Sequence, residues 1–85
     1  MQQGFNSNVQ HEGTDYHVQT EDWGLEKQMI VTRVFNGGAV LKTVRIPYGV
    51  LFETSQSVSA PALRLAMKRQ HQEILDQVLS GQFTR

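Results

Sequence analysis

The sequence has no cysteine and no long apolar run, and each absence excludes something. Without cysteine the chain forms no disulfide, which is typical of proteins from a reducing compartment. No stretch is long and apolar enough to predict a membrane span, and residues 1–4 lack the basic and apolar regions of a signal peptide. We therefore predict a cytoplasmic protein with no membrane partner.

An excess of one charge is also missing. Eight Lys and Arg residues balance eight Asp and Glu residues, so the formal net charge is zero and no charged tail is present. With 39% hydrophobic residues, the chain is predicted to fold as one domain, 1–85. A domain of this size buries only about 60–65% of the surface that its unfolded chain exposes. Because no disulfide adds stability, association with another chain is the expected supplement.

Turn signals divide residues 1–48 into four strands. Glu12-Gly13 separates the first pair, Trp23 to Glu26 the second, and Asn36-Gly37-Gly38 the third. Asn-Gly and Gly-Gly are strong hairpin signals. This spacing predicts a four-stranded antiparallel meander.

The first hairpin sorts cleanly into an apolar and a polar face. With Glu12-Gly13 as the loop, Val9 faces Tyr16, and Ser7 and Phe5 face Val18 and Thr20 in turn. The opposite face then carries polar side chains throughout: Asn6, Asn8, Gln10, Asp15, His17 and Gln19. This pattern is typical of a half-buried hairpin.

The second hairpin, by contrast, is apolar on both faces. With Gly37-Gly38 as the loop, Phe35 faces Val40 on one side and Val34 faces Leu41 on the other. On the side of Phe35, that register also pairs Val31 with Val44 and Met29 with Ile46, whereas an Asn36-Gly37 loop shifts it by one residue. Because each apolar face of a sheet needs a cover, we expect a homodimer or a protein partner on one side.

A polar connector over 49–59 leads to a predicted helix over 60–80 and a tail over 81–85. Ser59 and Pro61 are typical of a helix start, and Gly81 of a helix end. One apolar stripe at helical spacing consists of Leu63, Met67, Ile74 and Val78. The predicted fold class is therefore α+β, a ββββα arrangement in which this stripe covers one sheet face.

Four apolar residues outside that stripe are the candidates for protein binding. Leu65, Leu75 and Leu79 form a second stripe, interleaved with Arg64 and Lys68, whose aliphatic stems cover part of it. Trp23, between the hairpins, either closes the end of the core or serves as an exposed binding anchor.

The charges of the helix run against its dipole, with basic residues in its first half and acidic residues in its second half. One interpretation is that these charged side chains are solvated, with Arg69 and Glu73 paired at i, i+4. The other is that the basic residues form a ridge that binds phosphates or an acidic partner.

No pattern indicates a reaction centre. His11, His17 and His71 lack a second strong ligand at metal spacing, and Glu21 and Asp22 point to opposite faces of a strand. The serines at 55, 57, 59 and 80 have no histidine and acid near them in sequence, although a triad can assemble from distant residues. We therefore predict a protein that is not an enzyme and uses no metal or cofactor.

Two segments resemble a family of small uncharacterised bacterial proteins. They are Tyr16-His17-Val18-Gln19-Thr20-Glu21-Asp22, with the following Ile30-Val31-Thr32 and Tyr48, and Met67 to His71 through Gly81-Gln82-Phe83. The resemblance covers most of the chain and implies a bacterial protein, without implying any activity.

The architecture alone resembles the Pur-type repeat, in which four strands and a helix pair into a module that binds single-stranded nucleic acid. In this chain the corresponding nucleic-acid surface is Asn8, His17, Gln19, Arg33 and Lys42, together with Asn6 and Gln10. The connector over 53–59 and the neutral charge depart from that pattern. The leading hypothesis is therefore a non-catalytic homodimeric interaction module that binds another protein, and nucleic-acid binding is the alternative.

Overall fold

The computed structural model describes residues 4–52 and 58–83, except for the side chain of Leu25. Part of the predicted connector, 53–57, and the last two residues of the predicted tail lie outside the described residues. The described elements, in chain order, are β1 (Phe5–His11), β2 (Thr14–Asp22), α1 (Gly24–Lys27), β3 (Met29–Asn36), β4 (Ala39–Pro47), α2 (Tyr48–Leu51) and α3 (Ala60–Leu79).

The four strands form one antiparallel sheet in the order β1-β2-β3-β4, and α3 packs across one face of it. The predicted α+β meander with one long C-terminal helix is therefore confirmed. The sheet face under α3 is called the inner face and the opposite one the outer face. The short helices α1 and α2 occupy segments that the sequence predicted as a turn and as connector.

The first hairpin has the predicted register. Val9 pairs with Tyr16, Ser7 with Val18 and Phe5 with Thr20, all on the inner face. The loop residues Glu12 and Gly13 both have positive φ, as expected for a two-residue hairpin turn of this kind.

The second hairpin turns at Gly37-Gly38, yet the predicted register beyond that turn is wrong. Phe35 pairs with Val40, but a β-bulge follows, so that Val34 pairs with Lys42 and Leu41 is the extra residue. In consequence Val44 and Ile46 pair with Thr32 and Ile30 on the inner face, rather than with Val31 and Met29.

The bulge also changes the predicted two-sided character of this hairpin. Beyond it, Thr43 and Arg45 share the outer face with Val31 and Arg33, so that face of β4 is polar. Val31 itself is only 1% exposed. The outer face of β4 is therefore polar beyond the bulge, with Val40 exposed before it, and the inner face of β4 carries half-buried apolar Val44 and Ile46.

Helix α3 begins and ends with the predicted chemistry. The Ser59 hydroxyl accepts a hydrogen bond from the Ala62 amide at 3.2 Å, Pro61 lies in the first turn, and Gly81 has a φ of +86° beyond the last turn. The predicted stripe of Leu63, Met67, Ile74 and Val78 is buried.

Two core clusters lie between α3 and the sheet. One contains Tyr16, Val18, Val34, Ile74 and Val78, with Leu75 packed at its edge. The other contains Ile30, Tyr48, Leu63 and Met67. Leu75, which the sequence placed in the second apolar stripe, is half-buried against this core.

Candidate docking groove

A groove of about 710 Å³ runs between β4 and α3 on the inner face. We call it the β4–α3 groove. Its lining consists of Lys42, Val44, Ile46, Val50, Leu51, Phe52, Ala62, Leu65, Ala66, Arg69, Gln70, Glu73, Ile74 and Gln77. This volume falls within the range of pockets that take up a small molecule.

The groove exists because one helix cannot cover four strands. At about 4.8 Å per strand the sheet is about 19 Å wide, whereas a helix with its side chains is about 10–12 Å across. Helix α3 packs mainly against β1 and β2 and less against β3. A strip of inner face about 7–9 Å wide is therefore only partly covered over β4, where Val44 and Ile46 are half-buried.

The floor and one end of the groove are apolar. Val44 and Ile46 project from β4, and Val50 and Leu51 of α2 close the end beside Phe52. On the α3 side, Leu65 is 48% exposed. Covering surface of this kind with another apolar group is favourable by about 25 cal/mol for each Å² removed from water.

Charged side chains line the rest of the groove. Lys42 lies on the β4 side, with its ammonium 5.6 Å from the centroid of the Phe83 ring. Arg69 and Glu73 lie one turn apart on α3, but the predicted ion pair between them is not among the salt bridges of the described residues. These two opposite charges are therefore available to a docked group.

Two glutamine side chains in the lining carry unsatisfied acceptors. Within the described part of the chain, the buried amide oxygens of Gln70 and Gln77 have no hydrogen-bond partner. The Gln70 amide nitrogen, in contrast, donates to the Thr32 hydroxyl at 3.0 Å and to the Ile30 carbonyl at 3.4 Å. An unpaired buried acceptor destabilises a fold, so these two amide oxygens are a cost to the folded chain beneath the groove surface.

A buried polar network lies beside the groove, under the middle of α3. His71 is 6% exposed, and its Nδ1 lies 2.8 Å from the Thr20 hydroxyl while its Nε2 lies 2.8 Å from the Ser7 hydroxyl. Thr20 also contacts the Thr32 hydroxyl at 2.7 Å. Burial lowers the pKa of His71, and the charge of His17 lowers it further.

The contact between Ser7 and His71 is the serine–histidine pair that sequence spacing did not reveal. A hydrolase of this type also needs a carboxylate that orients the histidine and a space for the substrate. Here a threonine hydroxyl occupies the second ring nitrogen, and neither Ser7 nor His71 lines the groove. The network binds α3 to β1 and β2, which gives it a structural role.

A second buried polar contact fixes the chain at the groove's closed end. The Tyr48 hydroxyl donates to the carboxylate of Asp22, which also accepts from the amide of Gly24 at 2.9 Å. Burial, followed by the hydrogen bond and charge of Asp22, raises the pKa of Tyr48. Tyr48 thereby ties α2, and with it Val50 and Leu51, to the end of β2.

The predicted nucleic-acid residues do not form one surface. The register places Asn8, His17, Gln19 and Arg33 on the outer face, whereas Lys42 pairs with buried Val34 on the inner face. Because the bulge reverses the side to which Lys42 points, its predicted place beside Arg33 is wrong.

The outer-face residues largely satisfy one another. His17 contacts Asn8 at 2.8 Å and Asn6 at 3.2 Å through its two ring nitrogens. Gln19 donates to Glu21 at 2.8 Å, and Arg33 lies 3.7 Å from the same carboxylate and 5.4 Å from the centroid of the Trp23 ring. The outer face therefore offers a mixed polar surface, on which Arg33 lies against Glu21 and Arg45 is exposed, rather than a uniformly basic one.

The predicted protein-binding residues are also separated. Trp23 is half-buried and stacks with outer-face Arg33, and Leu75 packs on the core. Leu79 is 49% exposed on α3, outside the groove lining. Of these four residues, only Leu65 lies in the groove.

The residues that sequence reasoning missed are Val50, Leu51, Ala62, Ala66 and Arg69 as parts of one groove. The sequence did carry one signal. A four-stranded sheet is wide enough for two helices side by side, whereas the sequence predicts only one helix. The bulge at Leu41 determines which β4 side chains lie on the inner face, and no sequence pattern indicated it.

Among the described residues there is no group of three or more His, Cys, Asp or Glu side chains that could hold a metal ion. Within the same part of the chain, no helix is long and apolar enough to cross a membrane. Comparisons with protein-family models, with curated proteins and with solved structures find no match to this chain.

Proposed function

We propose that the chain is a small non-catalytic interaction module that docks a segment of another protein in the β4–α3 groove. The observation that carries the proposal is the partly covered inner face of β4, where half-buried Val44 and Ile46 lie beside exposed Leu65.

A displayed library of random linear peptides tests this function while the partner is unidentified. Peptides selected on the wild-type protein are expected to lose about tenfold or more in affinity on Leu65→Glu, because a charge replaces apolar groove wall. Leu79→Glu is the matched control, since this leucine is equally exposed on the same helix but outside the groove lining. Val50→Glu, at a 74% exposed groove position, is a second variant if Leu65→Glu does not fold.

The docking function is wrong if no peptide is enriched, or if the enriched peptides bind Leu65→Glu and Val50→Glu as tightly as the wild type. Circular dichroism of each variant separates lost binding from lost folding.

The second part of the proposal is that the module is a homodimer that pairs through the free edge of β4. An edge strand carries unpaired backbone N–H and C=O groups, and β4 exposes Val40 and Leu41 there, at 52% and 47%. Pairing in the plane of the sheet leaves the inner face open, so the groove stays accessible in the dimer.

Sedimentation equilibrium at tens of micromolar tests the homodimer. The wild type and Leu79→Asp are expected to sediment as dimers, and Leu41→Asp as a monomer, because an added carboxylate opposes burial of the edge. A monomeric wild type would show that the homodimer is wrong, and it leaves the peptide experiment unaffected.

A further inference from the structure

We propose that the segment docked in the β4–α3 groove is an amphipathic α-helix, packed beside α3 on the inner face of β4. This inference rests on the proposed docking function and names the partner's chemistry. It follows from the shape of the groove, the side chains of its α3 wall and its charges.

The shape of the groove favours a helix over an extended segment. The strip over β4 is about 7–9 Å wide, close to the 8–10 Å that separates the axes of packed helices, and Ala62 to Gln77 give it a length of about 22 Å. The backbone hydrogen bonds of β4 lie in the plane of the sheet, so they do not reach a segment on its face. An extended segment there would leave its own backbone groups unpaired against Val44 and Ile46, whereas a helix satisfies them internally.

The α3 wall allows a second helix to approach closely. Ala62 and Ala66 are small and lie one turn apart on the groove side, and Leu65 projects beside them. Two helices pack at about 8–10 Å between axes, and the shorter distances require small side chains at the contact. The α3 wall therefore fits a partner helix whose apolar stripe contacts Leu65 and the floor of β4.

The helix of a second copy does not meet this requirement. On its exposed side α3 presents Lys68, Gln72 and Asp76 with the separated leucines Leu65 and Leu79, a mostly polar surface. Its apolar stripe is already buried against its own strands. The docked helix therefore comes from a different protein.

The charges of the groove specify the flanks of that helix. Lys42 on one wall and Arg69 on the other are two cations, opposed by Glu73 alone. Because acidic side chains on the partner pair with these cations, we infer a helix with an apolar stripe and Asp or Glu at its edges. A partner with basic edges brings like charges together at the same positions.

Three synthetic peptides of about 18 residues test the proposal by fluorescence anisotropy. The first has leucines at helical spacing and glutamates beside them. The second has the same composition with leucines at every other position, as in a strand. The third is the first peptide with lysine in place of glutamate.

We expect the first peptide to bind the wild type with about tenfold or more higher affinity than the other two and to become helical on binding, as followed by circular dichroism. Arg69→Glu is expected to weaken the first peptide by about tenfold and to strengthen the lysine peptide. Binding of the first peptide should also be lost in Leu65→Glu and retained in Leu79→Glu.

The helix proposal is wrong if the strand-patterned peptide binds as well as the first, if the first peptide stays non-helical when bound, or if Arg69→Glu does not change the preference. When library peptides require Leu65 but all three synthetic peptides fail to bind, the docking function stands and only the helix is excluded.

Discussion

At the scale of single residues, two buried polar contacts are the most informative. Sequence patterns assigned His71 to no site and Tyr48 to the end of the meander, because side-chain partners from distant elements leave no local signal. In the folded chain, His71 reaches two strands and Tyr48 reaches Asp22. Each contact produces a measurable effect.

The buried imidazole of His71 predicts a loss of stability in mild acid. Its pKa is lowered in the folded chain, whereas in the unfolded chain it stays near 6.5. Below about pH 6.5 the unfolded state therefore binds more protons, and the free energy of unfolding falls as the pH falls. Urea unfolding at about pH 7.5 and about pH 5.5 should show this loss in the wild type.

The control for this experiment is His71→Gln, which keeps a polar side chain and removes the titration. Its stability is expected to change less between the two pH values. An equal loss in the wild type and His71→Gln would assign the effect to other groups.

The hydrogen bond from Tyr48 to Asp22 predicts that Tyr48→Phe lowers the free energy of unfolding by about 1–3 kcal/mol, because a buried carboxylate loses a donor. Tyr16→Phe is the control, since Tyr16 is similarly buried but its hydroxyl has no hydrogen-bond partner among the described residues. Equal effects in denaturant titrations of the two variants would contradict a stabilising role for this hydrogen bond.

At the scale of elements, turn and cap residues predicted where strands and helices end, but the pairing of strands was predictable in only one hairpin. The first hairpin alternates polar and apolar residues, so a one-residue slip would bury its polar face, and its register was predictable. The second hairpin is apolar at successive positions from Val40 to Leu41, so no such penalty selects a register, and the bulge went unpredicted. Lys42 was therefore placed on the wrong face.

The N-terminal cap of α3 predicts that Ser59→Ala lowers the free energy of unfolding by about 1 kcal/mol, because the Ala62 amide loses its acceptor. Ser59→Asp retains an acceptor at this position and should restore most of the stability. Thermal unfolding of the three proteins measures both effects. A loss in Ser59→Asp as large as in Ser59→Ala would show that the cap does not stabilise the helix.

At the scale of the whole molecule, the central feature is a sheet wider than its one helix covers. Composition predicted that a chain of this size would associate, and the apolar pattern placed the protein-binding residues at Trp23, Leu65, Leu75 and Leu79. The groove instead unites β4, α2 and α3, which are distant in sequence and converge only after folding. Of the predicted surface residues, Leu65 and Lys42 belong to it.

The measurement that tests the docking groove most directly is a titration of ¹⁵N-labelled protein with the glutamate-flanked helical peptide, followed by NMR. We predict that amide shifts change at Val44, Ile46 and Leu65, while Asn8 and His17 on the outer face stay unchanged. Shifts concentrated on the outer face, with those groove residues unaffected, would contradict the docking groove.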